Sequence, residues 1–239
     1  MLRRALLAGL ALAAAGAQAA HPLITEDTGT VGAGRWQLEL FGEAGEARVT
    51  RARLDQEDAV LSYGLARNLD VQAGLPWHRE RYSGMGDATL DLKWRFLERG
   101  AWSLALKPGI TLPTGDEREG LGAGKAGWGS QFVTSYARGP ATFHVHLGYR
   151  RHRNTIGERE SLRHVSGAVE LRAGTGPRLV VDFARNTNPD PAKSRAERYL
   201  VFGVIWPVAR DFDLDAGVKW GSGSAELREA ILLGLSTRW

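Results

Sequence analysis

His144 and His146 stand two residues apart in Phe143–Arg150, where apolar and polar residues alternate. Side chains two apart on an extended strand share a face, so both imidazoles point the same way as Gly148 and Arg150. That spacing permits the start of a metal site. Two ligands are too few, however, and no carboxylate is fixed beside them by the sequence. Neither metal nor cofactor is implied, and the plain reading is a pair of hydrogen-bonding histidines. Nucleophilic catalysis needs a nucleophile, a base and an orienting group that converge. Ser130, Ser135 and Ser166 lie on other stretches, with no nucleophile motif around them, so no catalytic residue is assigned.

The same alternation gathers charges onto one face of many segments. Asp70, Asp87, Asp91, Lys93, Arg95, Lys107, Arg150, Glu170, Arg172, Asp182, Asp213, Asp215, Lys219, Arg228 and Arg238 all fall on polar faces. Two readings stand: the charges pair and hold a wet wall open, or a subset forms a selectivity ring for a polar or anionic solute. The mixed signs argue against strong ion selectivity. Net charge is +4 for the whole chain, and +2 without Arg3 and Arg4, so no basic patch invites nucleic acid.

The elements that must carry these faces are strands. In Glu226–Trp239, Ile231, Leu233, Leu235, Thr237 and Trp239 fall on one side, and Leu232, Gly234, Ser236 and Arg238 on the other. An unpaired strand edge is a liability, and nothing follows this one. It must pair backwards, most simply with Trp36–Glu43, and that closes a barrel. Between them the pattern predicts strands at Ala59–Leu65, Leu69–Trp77, Asp87–Leu97, Trp102–Leu112, Trp128–Tyr136, Phe143–Arg150, Val165–Arg172, Leu179–Ala184, Tyr199–Val208 and Phe212–Trp220. Tight turns near 66–68, 98–101, 138–140, 174–176 and 209–211 alternate with longer polar loops near 45–57, 79–86, 114–127, 151–163, 186–197 and 221–226. About twelve strands with that rhythm predict an all-β, antiparallel, up-and-down transmembrane barrel of the outer-membrane type, both termini periplasmic.

Orientation follows from the tryptophans. Trp36, Trp94, Trp102, Trp206 and Trp239 fall toward the short-turn end, and Trp77, Trp128 and Trp220 toward the long-loop end. Two indole belts bracketing apolar bands put lipid outside. Residues 1–20 read as a secretory leader, with Arg3 and Arg4 before an apolar run and a small-residue end, cleaved near Ala19 or Ala20. Residues 21–34 form a polar, Gly-rich periplasmic segment and candidate plug, and 35–239 the barrel. The chain has no cysteine, hence no disulfide. The expected location is the outer membrane of a Gram-negative bacterium. The expected partners are its lipids and lipopolysaccharide, and the barrel-insertion machinery through the C-terminal strand. Two features fit less well: Pro108 mid-strand suggests a bulge, and strands two, six and ten alternate poorly, leaving their register open.

Three stretches carry a family resemblance. They are His21-Pro-Leu-Ile-Thr-Glu-Asp-Thr-Gly-Thr, Gly86-Asp-Ala-Thr-Leu-Asp-Leu-Lys-Trp-Arg-Phe-Leu, and Leu106-Lys-Pro-Gly-Ile-Thr-Leu-Pro-Thr-Gly-Asp-Glu, closing near Gly120-Leu-Gly. Together they resemble a family of outer-membrane transporters named for the meta pathway of phenol degradation. The resemblance covers the first half and implies a channel or uptake protein for small organic compounds; it brings no catalytic residues. The lumen set to examine is Asp87, Asp91, Lys93, Arg95, Lys107, His144, His146, Arg150, Glu170, Arg172, Asp213, Asp215 and Lys219. The alternatives are a lipid-modifying barrel enzyme and a non-conducting structural or lipopolysaccharide-binding barrel.

Overall fold

The computed structural model describes residues 21–79 and 83–239; the leader expected over 1–20 lies outside them. Twelve long strands and one short one follow in order: β1 Trp36–Ala47, β2 Arg53–Ala66, β3 Leu69–Arg79, β4 Ser83–Met85, β5 Thr89–Arg99, β6 Trp102–Thr111, β7 Gly127–Arg138, β8 Ala141–Arg151, β9 Ser161–Arg172, β10 Arg178–Asn186, β11 Glu197–Ala209, β12 Phe212–Gly223 and β13 Leu227–Arg238. Sequence neighbours pair antiparallel throughout, with β3 passing over the short β4 to β5. β13 pairs with β1 from Arg238↔Gln37 to Leu227↔Ala47, and β2 pairs with β3, so the sheet closes on itself. Closure removes the unpaired edges that a lone β13 would have exposed.

The two faces separate by period two. Leu90, Leu92 and Trp94 on β5, or Val145, Leu147 and Tyr149 on β8, are exposed on the outside, whereas Lys93, His144 and His146 are buried within. All eight tryptophans are exposed. In water such a belt of greasy side chains is far larger than the patches soluble monomers tolerate; facing acyl chains it costs nothing. The short turns need reversals that L side chains resist, and Gly100 and Gly139 supply them at φ of 59° and 57°.

The structure departs from the sequence reading at three places. The loop expected over 45–57 shrinks to 48–52, because β1 and β2 run on as a paired ladder as far as Glu46↔Arg53. Their outward residues there, such as Asp55 and Glu57, are polar, so this extension lacks the greasy alternation that marks a strand. β4, within the expected 79–86 loop, pairs back on β3 through Trp77↔Met85. At Pro108 there is no bulge: the β5–β6 ladder is interrupted between Asp91↔Gly109 and Trp94↔Leu106, with the same register on both sides. The register shift lies lower down, between Arg95 and Leu97. The poor alternation of Tyr199–Val208 has a cause inside the barrel.

Candidate functional site

Residues 21–34 run through the lumen. His21 Nδ1 lies 2.7 Å from Asp215 Oδ1 on β12. The backbone N–H groups of Ile24 and Thr25 donate to Asp182 Oδ2 on β10, both at 2.7 Å, and the Thr25 hydroxyl donates to Oδ1 at 2.7 Å. The Glu26 N–H then reaches His146 Nδ1 on β8 at 3.3 Å. Thr28 meets Ser103 on β6, and the Val31 N–H donates to Asp70 Oδ2 on β3 at 2.8 Å. Most of these donors are orphan backbone groups of a segment without secondary structure, and wall carboxylates and the His146 ring satisfy them.

Apolar contacts complete the seat. Leu23 packs on buried Val180 and Ile205, and Ile24 on the cluster of Val201, Leu227, Ala230 and Leu232. That explains β11. Its inward face, Val201, Gly203 and Ile205, is apolar because it receives this segment, so both faces read as greasy. Gly203 and Gly217 leave room for Pro22: a Cβ on Gly203 would lie 2.4 Å from the proline Cγ. Gly64 does the same for the segment's exit, where a Cβ would stand 1.8 Å from the Gly32 carbonyl oxygen. Gly64→Ala is therefore expected to lift residues 32–34 off β2 and cost about 1–3 kcal/mol, the usual range for overpacking. Thermal unfolding in detergent, followed as the loss of heat-resistant gel mobility, checks this.

At the centre sits an ion cluster. Lys93 Nζ lies 2.8 Å from Glu26 Oε1 and 2.9 Å from Asp27 Oδ1, while Lys107 Nζ lies 2.6 Å from Glu26 Oε2. The side chains of Lys93 and Asp27 are 5% and 1% exposed. Burial pushes the Glu26 carboxyl up, but Lys107 and then Lys93 outweigh it and hold the group well below the usual carboxylate range. A carboxyl depressed in the docked state contributes stability that is fully present above its free value and is lost as the pH falls toward its docked value. The Glu26 contribution to docking should thus be unchanged from about pH 8 to pH 5 and weaken only below about 4.3, the free glutamate value. The chain has no cysteine, so a nitroxide on Thr30→Cys reports docking alone. A label that loosens near neutral pH in the full protein but not in Glu26→Gln would contradict this assignment.

The other predicted lumen residues divide into groups. Lys93, Lys107, His146 and Asp215 grip the segment, as described. Near the turn end Arg178 reaches Glu170 at 3.3 Å and Asp213 at 3.4 Å, and Arg238 reaches Asp213 at 3.0 Å. Arg172 lies at the edge of that network, exposed and 4.0 Å from Glu170. Lys219 pairs with Glu43 at 2.6 Å and lies over the Tyr199 ring. Arg95 pairs with Glu98 at 3.3 Å. Asp87 stands just before β5 and braces a loop, not the strand wall: it accepts from the Gly115 and Ala123 N–H groups at 3.0 and 2.8 Å. The sequence reading missed Glu26, Asp27, Glu43 and Arg178 as partners. Glu26 and Asp27 lie in the His21–Thr30 motif, where two acids in an otherwise uncharged run were the available signal.

Two serine–histidine contacts also emerge that spacing did not reveal. Ser135 Oγ lies 2.8 Å from His144 Nδ1, across the β7–β8 pair. Ser166 Oγ lies 2.8 Å from His164 Nε2, whose Nδ1 meets Asn186 Oδ1 at 2.6 Å. Acyl transfer also needs free donors for a developing oxyanion. Ser166 is 4% exposed, and its backbone is committed to the β8 and β10 ladders. These chains hold the wall polar and ordered.

Toward the loop end the lumen opens into a cavity of about 530 Å³, floored by Ile24 and Glu26 and walled by Asp91, Lys107, His146 and Arg150 among others. A second, of about 250 Å³, lies on the segment's other side against Gln37, Glu39, Phe41 and Gln72.

Solved structures share this architecture. A crystallised outer membrane channel from Pseudomonas putida F1 superposes with a TM-score of 0.70 at 13% identity, covering 89% of this chain and 98% of that one. The KdgM porin and the NanC porin each give 0.60, at 5% and 9% identity, covering 84% of this chain and 98% of theirs. At such identities the likeness is one of fold. No curated protein matches the chain. The family described as "Putative MetA-pathway of phenol degradation" matches residues 19–239, from before the lumen segment to the terminal tryptophan, and the chain belongs to that family.

Proposed function

We propose that the protein is an outer-membrane channel for passive passage of small organic solutes, narrowed by its own N-terminal segment. The observation that carries this is the division of faces: a lipid-ready outer band with indoles toward both ends, around a charged interior that retains a cavity of about 530 Å³. A barrel built only for support has no need of a hollow lined by lysine, arginine and histidine. The similar folds include proteins titled outer membrane channel and porin, among them the KdgM porin in complex with oligogalacturonate. In this reading the loops at 112–126 and 152–160 meet lipopolysaccharide through Lys125, Arg153 and their neighbours. The C-terminal strand, ending on Trp239, is the element offered to the barrel-insertion machinery.

Liposome swelling tests the proposal. Vesicles holding the purified protein should swell in small sugars and aromatic acids faster than protein-free vesicles, with the rate falling as solute size rises. Swelling no faster than in empty vesicles, both for the full protein and for a variant lacking residues 22–31, would establish a non-conducting barrel instead.

A further inference from the structure

The loop-end cavity has an internal logic that passage alone does not require. Its hollow exists because β6, β7 and β8 present glycine there: Gly109, Gly129 and Gly148 all line it, and Gly109 and Gly129 are a cross-strand pair. A Cβ on Gly109 would stand 1.8 Å from Asp91 Oδ1, so the bare backbone is what lets the aspartate lie against β6. Larger residues at these positions would fill the space that the glycines leave.

The charges around the hollow are not equivalent. Glu26 is neutralised by Lys93 and Lys107, which together with Asp27 form a balanced quartet. Glu197 accepts from Asn188 at 3.1 Å and from the Tyr199 hydroxyl at 3.3 Å. Arg150 and Asp91 differ. Both line the cavity, and among the described residues neither side chain makes a hydrogen bond or a contact ion pair, although Asp91 lies within electrostatic range of Lys107 and Arg150. A guanidinium is a planar fork matched to carboxylate, and a carboxylate such as Asp91 accepts hydrogen bonds only. The hollow therefore offers a guanidinium suited to an anion and a carboxylate that asks for a donor.

We propose that this cavity is a binding site for a small organic acid that carries a hydroxyl or amine at its other end, with the carboxylate on Arg150 and the donor on Asp91. The proposal rests on the channel reading and deepens it, because it makes the solute class acidic and hydroxylated or aminated. Arg150 is the specificity-determining residue; Asp91 discriminates among acids.

Gluconate, sorbitol and hexanoate serve as probes, because they differ in the carboxylate and the hydroxyls one at a time. Titration calorimetry with the full-length protein in detergent should show gluconate binding well ahead of both others. Arg150→Gln should weaken gluconate about tenfold, the scale of one charge-assisted contact, with Arg150→Lys keeping part of it. Asp91→Asn should erase the preference for gluconate over hexanoate. Equal affinity for gluconate and sorbitol, or an Arg150→Gln variant that binds gluconate as before, overturns the site. Vesicle swelling separates the two claims. Gluconate that binds but does not pass supports the site and defeats the channel, whereas sugars that pass without any gluconate binding do the reverse.

Discussion

Deleting residues 22–31 is expected to raise single-channel conductance roughly threefold or more, since a twelve-strand wall has a backbone radius on the order of 12 Å and the segment spans that bore. The segment touches β12, β10, β8, β6, β5 and β3 in turn, so its removal joins the cavities of about 530 and 250 Å³ that it now separates. The wall should survive. Its closure begins at Gln37↔Arg238, and Gly34 remains to bond Gly64. Lys93, Lys107, Asp182 and Asp215 lose their partners, but water entering the widened lumen replaces those contacts. Planar-bilayer recording of the deletion variant beside the full protein gives the answer. Conductance that stays level or drops would assign the constriction to a loop, 112–126 being the next candidate.

The second large effect comes from Lys93→Met. Lys93 is the cation shared by Glu26 and Asp27, and it lies almost wholly out of solvent. Methionine fills the stem but leaves Asp27, whose side chain is 1% exposed, without its counter-ion. Breaking a buried pair from one side costs about 3–5 kcal/mol, because the remaining charge stays desolvated. The segment can avoid that cost by leaving its seat, so the variant should release it. A nitroxide on Thr30→Cys should change from an immobilised to a mobile spectrum, and conductance should move toward the deletion value. Adding Asp27→Asn should restore much of the docking, since the stranded charge is then gone. A label that stays immobile in Lys93→Met would show that Pro22, Leu23 and Ile24, packed on β10 to β13, hold the segment without the ion cluster.

The two variants probe different links. Deletion tests whether the segment sets the bore; Lys93→Met tests what keeps it there. The pH response of Glu26 joins them, because its two lysines delay release until acid well beyond the ordinary glutamate range.

Strand existence, face and order were set by local residue pattern. Leu90, Leu92 and Trp94 against Asp91, Lys93 and Arg95 define a half-greasy strand wherever it is placed. Turns such as Gly139-Pro140 leave the chain few ways to go but back. The strand over Leu227–Arg238 alternates like the first and closes on it. Those are short-range constraints, so twelve strands and a closed wall were legible in the residues alone. What fills the wall was not. His21 meets Asp215 across 194 positions, and Thr25 meets Asp182 across 157. No period or spacing encodes such pairings. Beside the two acids Glu26 and Asp27, their trace in the sequence was negative: the inner face of β11 is apolar where a water-filled bore would want it polar. That irregularity reads as noise until Leu23 and Ile24 are seen lying against it. The same holds for Arg150 and Asp91, which share a hollow only because the barrel curls β5 and β8 around three glycines.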